Sequence, residues 1–385
     1  MHMAMAPAFH QGEPGPYACA LGGAGETMRG MQLSQLISGA RPRTLALGVA
    51  PVWIGAAGAW ALMRGREHTL PQCAWVAGGA HCASSPARMT TLMLLCLGVA
   101  VFLQIAANFA NDYSDGIRGT DAHRAAAAVA NRVEYVTRAT GPGDVEREET
   151  LDYEELHAPT RLVASGVPPR SVLTAAAVNA ALACACGLAA VVITGYWWLL
   201  AVGALCVLAG WFYVGGAHPY GYRGWGEIAA FVFFGPVATL GTTVTMAGAV
   251  EWPTVCASLV IGLVALAVLS VNNLRDIRSD AQAGKRTWAV RLGAHATTVC
   301  IIVVIALVML AVLAAGVYVG VHGSTLAHLT AAWGFCAVLG MVCVLLTGYF
   351  TCFEVARGEY MRAMWSLALL ALWFALAFTG FAMVL

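Results

Sequence analysis

Met89–Asp121 reads "MTTLMLLCLGVAVFLQIAANFANDYSDGIRGTD": about twenty residues without a charge, then three aspartates and two asparagines within fourteen positions. A helix needs about 20 apolar residues to cross the hydrocarbon core of a bilayer, and this run supplies them. The acids at its end are costly, because burial and mutual repulsion both oppose their charge unless something positive lies among them. One stretch therefore predicts a transmembrane helix and a chemically active end to it.

The rest of the chain repeats the first half of that reading. Its 385 residues are 59% hydrophobic and 11% charged, where a soluble domain carries about 25% charge. Nine runs lack Asp, Glu, Lys and Arg: Leu45–Leu62, Met89–Ala110, Val172–Thr194, Trp197–Val214, Ile228–Val250, Val255–Val271, Thr297–Val321, Leu326–Phe350 and Met364–Leu385. None alternates as a barrel strand does, and only helices or closed barrels satisfy their backbone in lipid. The expected fold class is all-α, a polytopic membrane protein of nine transmembrane helices.

Placing the N-terminus inside puts 18 of the 21 Lys and Arg on inner segments, leaving only Arg64, Arg66 and Arg88 outside. The positive-inside bias thus predicts a cytoplasmic N-terminus and an outer C-terminus in the cell membrane. Residues 1–40 are rich in Gly and Pro and lack a signal-peptide pattern, so they read as a disordered cytoplasmic arm before a transmembrane domain over 41–385. Most of the twelve cysteines fall in apolar runs, where they act as small hydrophobes. Cys73 and Cys82 share the first outer loop, which leaves a disulfide between them open. A net charge of +1 without a basic stripe gives no footprint for nucleic acid.

The acids have a counterpart. After the sixth run comes "SVNNLRDIRSDAQAGKRTWAVRLG", in which Asn272, Asp276 and Asp280 recur every fourth residue and share a helical face. In the first motif Asn111 and Asp115, and Asp112 and Asp115, are neighbours at helical spacing, and Asp121 follows a Gly-Thr turn that can return it toward them. Both motifs end even-numbered helices on the cytoplasmic side, which two independently solvated helix ends would not require. Carboxylate and amide oxygens are hard ligands suited to Mg2+, an ion that keeps few protein ligands and shares its shell with phosphate oxygens. Two facing motifs would grip a diphosphate through such ions, with Lys285, Arg286, Arg161 and Arg223 as direct cationic contacts. A clamped diphosphate is a good leaving group. The residues alone reach Mg2+-dependent transfer from a lipid diphosphate at the inner face of a membrane.

The pair "NDYSDGIRGTD" and "NNLRDIRSDAQAGKRTWAVRLG" resembles the UbiA superfamily of intramembrane prenyltransferases. Supporting stretches are "RPRTLALGVAPVWIG", "RLVASG" at 161–166 and "GGAHPYGYRGWGEIAAFVFFGP". The resemblance implies nine helices around a central cavity. Within the superfamily the likeness is to the branch acting on 1,4-dihydroxy-2-naphthoate. It implies transfer of the isoprenoid chain of a polyprenyl diphosphate to that acceptor, loss of CO2, and demethylmenaquinone as product. Carried over residue by residue, it implies Asn111, Asp112, Asp115 and Asp121 as the first magnesium motif. Asp276 and Asp280 form the second, with Asn272 and Asn273 in support. Lys285 and Arg286 become diphosphate contacts, and Tyr220, Tyr222 and Arg223 part of a lid. Arg43 is a candidate for substrate contact.

The chain departs from that pattern at about 122–160, a charged cytoplasmic insert with a Gly-Pro-Gly break whose acids read as a solvated run. His218 lies in the lid-like loop, His328 near the outer end of the eighth helix, and Gln104 one turn before Asn108. Three other readings are weaker. A CDP-alcohol phosphatidyltransferase shares the start Asp112, Asp115, Gly116, but keeps both acidic groups in one region. A transporter would carry its acids at mid-membrane. Another aromatic acceptor, such as 4-hydroxybenzoate or homogentisate, would use the same acids.

Overall fold

The computed structural model of the protein describes residues 31–67, 85–119, 161–216, 218–322 and 330–384. Residues 1–30, Cys73 and Cys82, Asp121, the insert and His328 lie outside the described residues. In chain order the helices are α1 (Leu33–Ala40), α2 (Pro42–Glu67), α3 (Pro86–Ile117), α4 (Pro169–Thr194), α5 (Leu199–Val214), α6 (Gly226–Ala247), α7 (Trp252–Arg275), α8 (Ile277–Gln282), α9 (Trp288–Leu292), α10 (Ala294–His322), α11 (Thr330–Arg357) and α12 (Tyr360–Val384). Among the described residues there is no strand.

Each of the nine apolar runs contributes a helix, and eight of the helices are long and apolar enough to cross a membrane. The exception is α5, whose 16 residues extend about 24 Å at 1.5 Å per residue, short of a core about 30 Å thick. Local chemistry fixes several ends. Ser85 caps α3 by accepting from the Arg88 N–H, with Pro86 in the first turn. Gly195, at φ 73°, stops α4. Inside α6, Pro236 lies in a π-helical turn, Phe233–Val237, where its missing N–H removes one rung of the ladder.

Burial separates the helices into two kinds. In α2, α7 and α12, 67%, 61% and 56% of the most apolar window is buried, against 28% or less in the other spanning helices. These three also touch one another pairwise. They form the centre of the bundle, and the remaining helices turn apolar side chains outward, as a lipid solvent permits.

One expectation is corrected here. The last eight residues of the arm expected to be disordered form α1. Gln32 and Gln35 cap it reciprocally, and Gly39 is buried against Phe109 of α3 and Leu162. The Gly-rich composition before it hid a short segment that gains order only by docking on α3.

Candidate active site

The first motif occupies the last turns of α3. Asn108, Asp112 and Asp115, spaced by four and three, lie on one face, and both carboxylates are fully buried at 0% exposure. Asn108 donates through Nδ2 to the Ala40 carbonyl (2.8 Å) and to Thr44 Oγ1 (3.1 Å), tying α3 to the joint between α1 and α2. At that joint sits Arg41, the one non-glycine residue with positive φ among the described residues (52°). A left-handed arginine costs about 1 kcal/mol or more. Here it caps α1, with its N–H on the Ser38 carbonyl, and brings its guanidinium onto Asp112 Oδ1.

The second motif spans a joint. α7 ends at Arg275, Asp276 adopts φ −92° and ψ 11°, and α8 carries Asp280. Backbone bonds from Asp276 N to Asn272 O (3.2 Å) and from Asp280 N to Asp276 O (2.9 Å) carry the four-residue spacing across the break. Arg275 forks over Asp276, with Nε on Oδ1 at 2.8 Å and Nη2 on Oδ2 at 3.0 Å, and Nη2 also reaches Asn272 Oδ1 at 2.9 Å.

Two cations join the motifs. Arg161 reaches Asp112 Oδ1 through Nη1 (3.3 Å) and Asp276 Oδ2 through Nη2 (3.5 Å). Its position follows from Gly116: any Cβ there would collide with Val163, so the glycine in "SDGIRG" lets the segment after the insert seat on α3. Lys285 makes the second bridge, with Nζ 3.0 Å from Asp115 Oδ1 and 3.6 Å from Asp280 Oδ1. The Tyr222 hydroxyl donates to the same Asp115 oxygen at 2.7 Å, and Lys285 Nζ lies 4.5 Å from the Tyr222 ring centroid. Burial, then the charge of Asp115, raise the Tyr222 phenol above its ordinary value, so it remains a protonated donor.

The other expected residues fall elsewhere. Asn111 is half-buried in the same helix. Asn273 turns to the fully buried Glu227, whose Oε1 accepts from Asn273 Nδ2 (2.8 Å) and from the Trp288 N–H (3.1 Å). Arg43 directs Nη1 to Met361 Sδ at 3.4 Å, and Tyr220 packs edge-on against Tyr213. Arg223 and Arg286 line a cavity with His218 and Tyr222. Gln104 Oε1 is buried without a hydrogen-bond partner among the described residues. Sequence reading missed Arg41, Arg275 and Glu227. Arg41 stands two places before the chosen Arg43, and Arg275 stands inside the quoted "NNLRD".

The donor set suits a hard divalent cation. Among the described residues Asp112 Oδ2 is buried with no hydrogen-bond partner, leaving a carboxylate oxygen available beside Arg161. Among the described residues no three His, Cys, Asp or Glu converge into a closed cage. Paired carboxylates without a cage are what Mg2+ uses when phosphate oxygens complete its shell.

Fold and site together define a multi-pass helical membrane protein with two aspartate motifs joined at one end of the bundle. The chain matches the UbiA prenyltransferase family over residues 69–342 and belongs to it, as the two motifs implied. It is 42% identical to 1,4-dihydroxy-2-naphthoate octaprenyltransferase of Mycobacterium tuberculosis, over 68% of this chain and 70% of that one. It is 31% identical to the enzyme of the same name from Haemophilus influenzae, over 68% of this chain and 71% of that one. A solved UbiA homolog from Archaeoglobus fulgidus bound to DMAPP and Mg2+ is 13% identical over 87% of this chain and 98% of that chain. Its TM-score is 0.45.

Proposed function

We propose that the protein transfers a polyprenyl group from polyprenyl diphosphate to 1,4-dihydroxy-2-naphthoate, with Mg2+ at the paired aspartates. The meeting of both motifs across Arg161 and Lys285 carries this reading, and the activity named for the relatives supports the acceptor. Asp112, Asp115, Asp276 and Asp280 would hold the metal, with Asn111, Asn272 and Asp121 as further oxygen ligands. Bound Mg2+ neutralises charge on the leaving diphosphate. Arg161 and Lys285 lie against the carboxylates, so a diphosphate drawn to the cluster meets their charge. Arg41 and Tyr222 orient Asp112 and Asp115.

The prenyl C–O bond to diphosphate breaks, and a C–C bond forms at the ring carbon bearing the carboxylate. CO2 departs and leaves its bonding electrons to the ring, which gives the quinol form of demethylmenaquinone. Burial of the acids keeps water from the electron-poor prenyl carbon until the electron-rich ring attacks. The distribution of basic residues supports a cytoplasmic N-terminus and site, with the C-terminus outside the cell membrane. Residues 41–385 then act as one transmembrane domain interrupted by the insert.

The test is an assay in nanodiscs with Mg2+ and radiolabelled polyprenyl diphosphate, offering 1,4-dihydroxy-2-naphthoate and 4-hydroxybenzoate in parallel. Label should appear in a prenyl-naphthoquinone alone and vanish with EDTA. Label on 4-hydroxybenzoate would move the acceptor assignment while keeping the site. Label in neither product would overturn the reading.

A further inference from the structure

Glu227, the second residue of α6, is fully buried although it belongs to neither aspartate motif. The first turn of a helix favours a carboxyl, because the unpaired N–H groups there leave a positive end. Its two oxygens are used unequally. Oε1 accepts twice, from Asn273 Nδ2 at 2.8 Å and from the Trp288 N–H at 3.1 Å. Oε2 is buried with no hydrogen-bond partner among the described residues. Buried polar groups cost stability unless they are satisfied, and an apolar side chain of similar volume often serves a core as well or better. Stability alone does not ask for a carboxyl here.

Oε1 gathers two segments that flank the carboxylate cluster. Asn273 stands on α7 three residues before Asp276, and Trp288 opens α9 three residues after Lys285. The chain between them is held by the Lys285 N–H on the Asp280 carbonyl (2.8 Å), the Arg286 N–H on the Tyr222 carbonyl (2.7 Å) and Trp288 Nε1 on the Gly224 carbonyl (2.9 Å). Those acceptors are backbone carbonyls, which any residue supplies. Glu227 is the side chain that completes the set, so a substitution can remove it.

The segment that carries Glu227 is itself fixed. A Cβ at Gly221 would lie 2.7 Å from the Tyr213 ring, and one at Gly224 would lie 2.8 Å from the Arg286 carbonyl oxygen. Lys285, by contrast, follows Gly284 at φ 74°, a residue with wide conformational freedom. Its Nζ nevertheless stands 3.0 Å from Asp115 Oδ1. The anchor three residues further on, at Glu227, limits how far that turn can swing.

We propose that Glu227 is a positioning residue for prenyl transfer: its Oε1 ties the Trp288 turn to α7, and so keeps Lys285 where an incoming diphosphate meets its charge. The inference rests on the diphosphate reading of the carboxylate cluster. The test uses full-length protein in nanodiscs with Mg2+. It measures steady-state transfer, equilibrium binding of a polyprenyl thiolodiphosphate, and melting. Glu227→Met keeps the volume and removes the acceptor, whereas Glu227→Gln keeps an acceptor at the same place. Each is made alone and together with Lys285→Ala. Glu227→Met should raise both KM for the polyprenyl diphosphate and Kd for the analogue about tenfold, with kcat within about twofold, as a loss of uniform binding requires. Glu227→Gln should recover most of that loss. With Lys285 already replaced by Ala, Glu227→Met should change Kd by less than about twofold, because the group it positions is gone. If Glu227→Met does not fold, Glu227→Asp withdraws the acceptor by one carbon and carries the same comparison. A role confined to the fold would lower kcat with the active fraction and leave Kd unchanged, and that result would overturn the proposal. So would effects of Glu227→Met and Lys285→Ala on Kd that multiply fully, in a chain that transfers and binds normally before substitution. An unaltered chain that neither transfers the prenyl group nor binds the analogue would overturn the diphosphate reading and this inference with it.

Discussion

The two bridges between the aspartate motifs are built from different cations, and the difference divides their work. Arg161 precedes a segment seated on α3, with Leu162 at 1% exposure and Val163 against Gly116. Its planar guanidinium lies in a row of alternating charge: Arg41, Asp112, Arg161, Asp276, Arg275. Lys285 follows Gly284, itself at φ 74°, and carries a compact charge on a flexible stem between Asp115 and Asp280. The arginine bridge sets the spacing of the motifs. The lysine bridge answers charge at that spacing.

The largest effect should come from the acid that both the lysine and the tyrosine address. Asp115→Asn is expected to lower prenyl transfer about 1,000-fold, measured as kcat/KM, because a charge at the reacting centre is lost from a water-poor site. Next come the two cations. Arg161→Ala should lower activity about 100-fold and also the melting temperature, since it strips a shared partner from the buried Asp112 and the half-buried Asp276. Arg161→Lys should restore little of either, because one ammonium does not replace the fork. Lys285→Ala should chiefly raise KM for the polyprenyl diphosphate and lower the melting temperature by less than Arg161→Ala does, because the Tyr222 hydroxyl still serves Asp115. Equal losses of melting temperature in Arg161→Ala and Lys285→Ala would erase the distinction between the bridges. The smallest effect belongs to Tyr222→Phe, which removes one hydrogen bond to a charged acceptor and should cost about tenfold in kcat/KM.

Much of this was legible because length and local spacing report directly on membranes and helix faces. Nine apolar runs gave nine helices, and Asp276 and Asp280 keep their shared spacing even though the helix breaks at Asp276. Contacts between distant segments were less accessible. In "RPRT" two arginines are equivalent as text, yet the left-handed joint sends Arg41 to Asp112 while Arg43 goes to Met361. Lys285 and Arg286 are adjacent in sequence, but the backbone bond of Arg286 to Tyr222 places one beside the carboxylates and the other in the cavity lined by Arg223. Glu227 gave no local signal, because Asn273 and Trp288 meet it only through the packing of α6 against α7 and the segment after α8.

The central claim is that both motifs act as one site, and a double-mutant cycle of Asp112→Asn and Asp276→Asn on kcat/KM tests it most directly. If Arg161 joins them into one unit, the double variant should be within about tenfold of the worse single variant, because the first substitution already disables the shared site. Losses that multiply fully would show two independent sites and contradict the account.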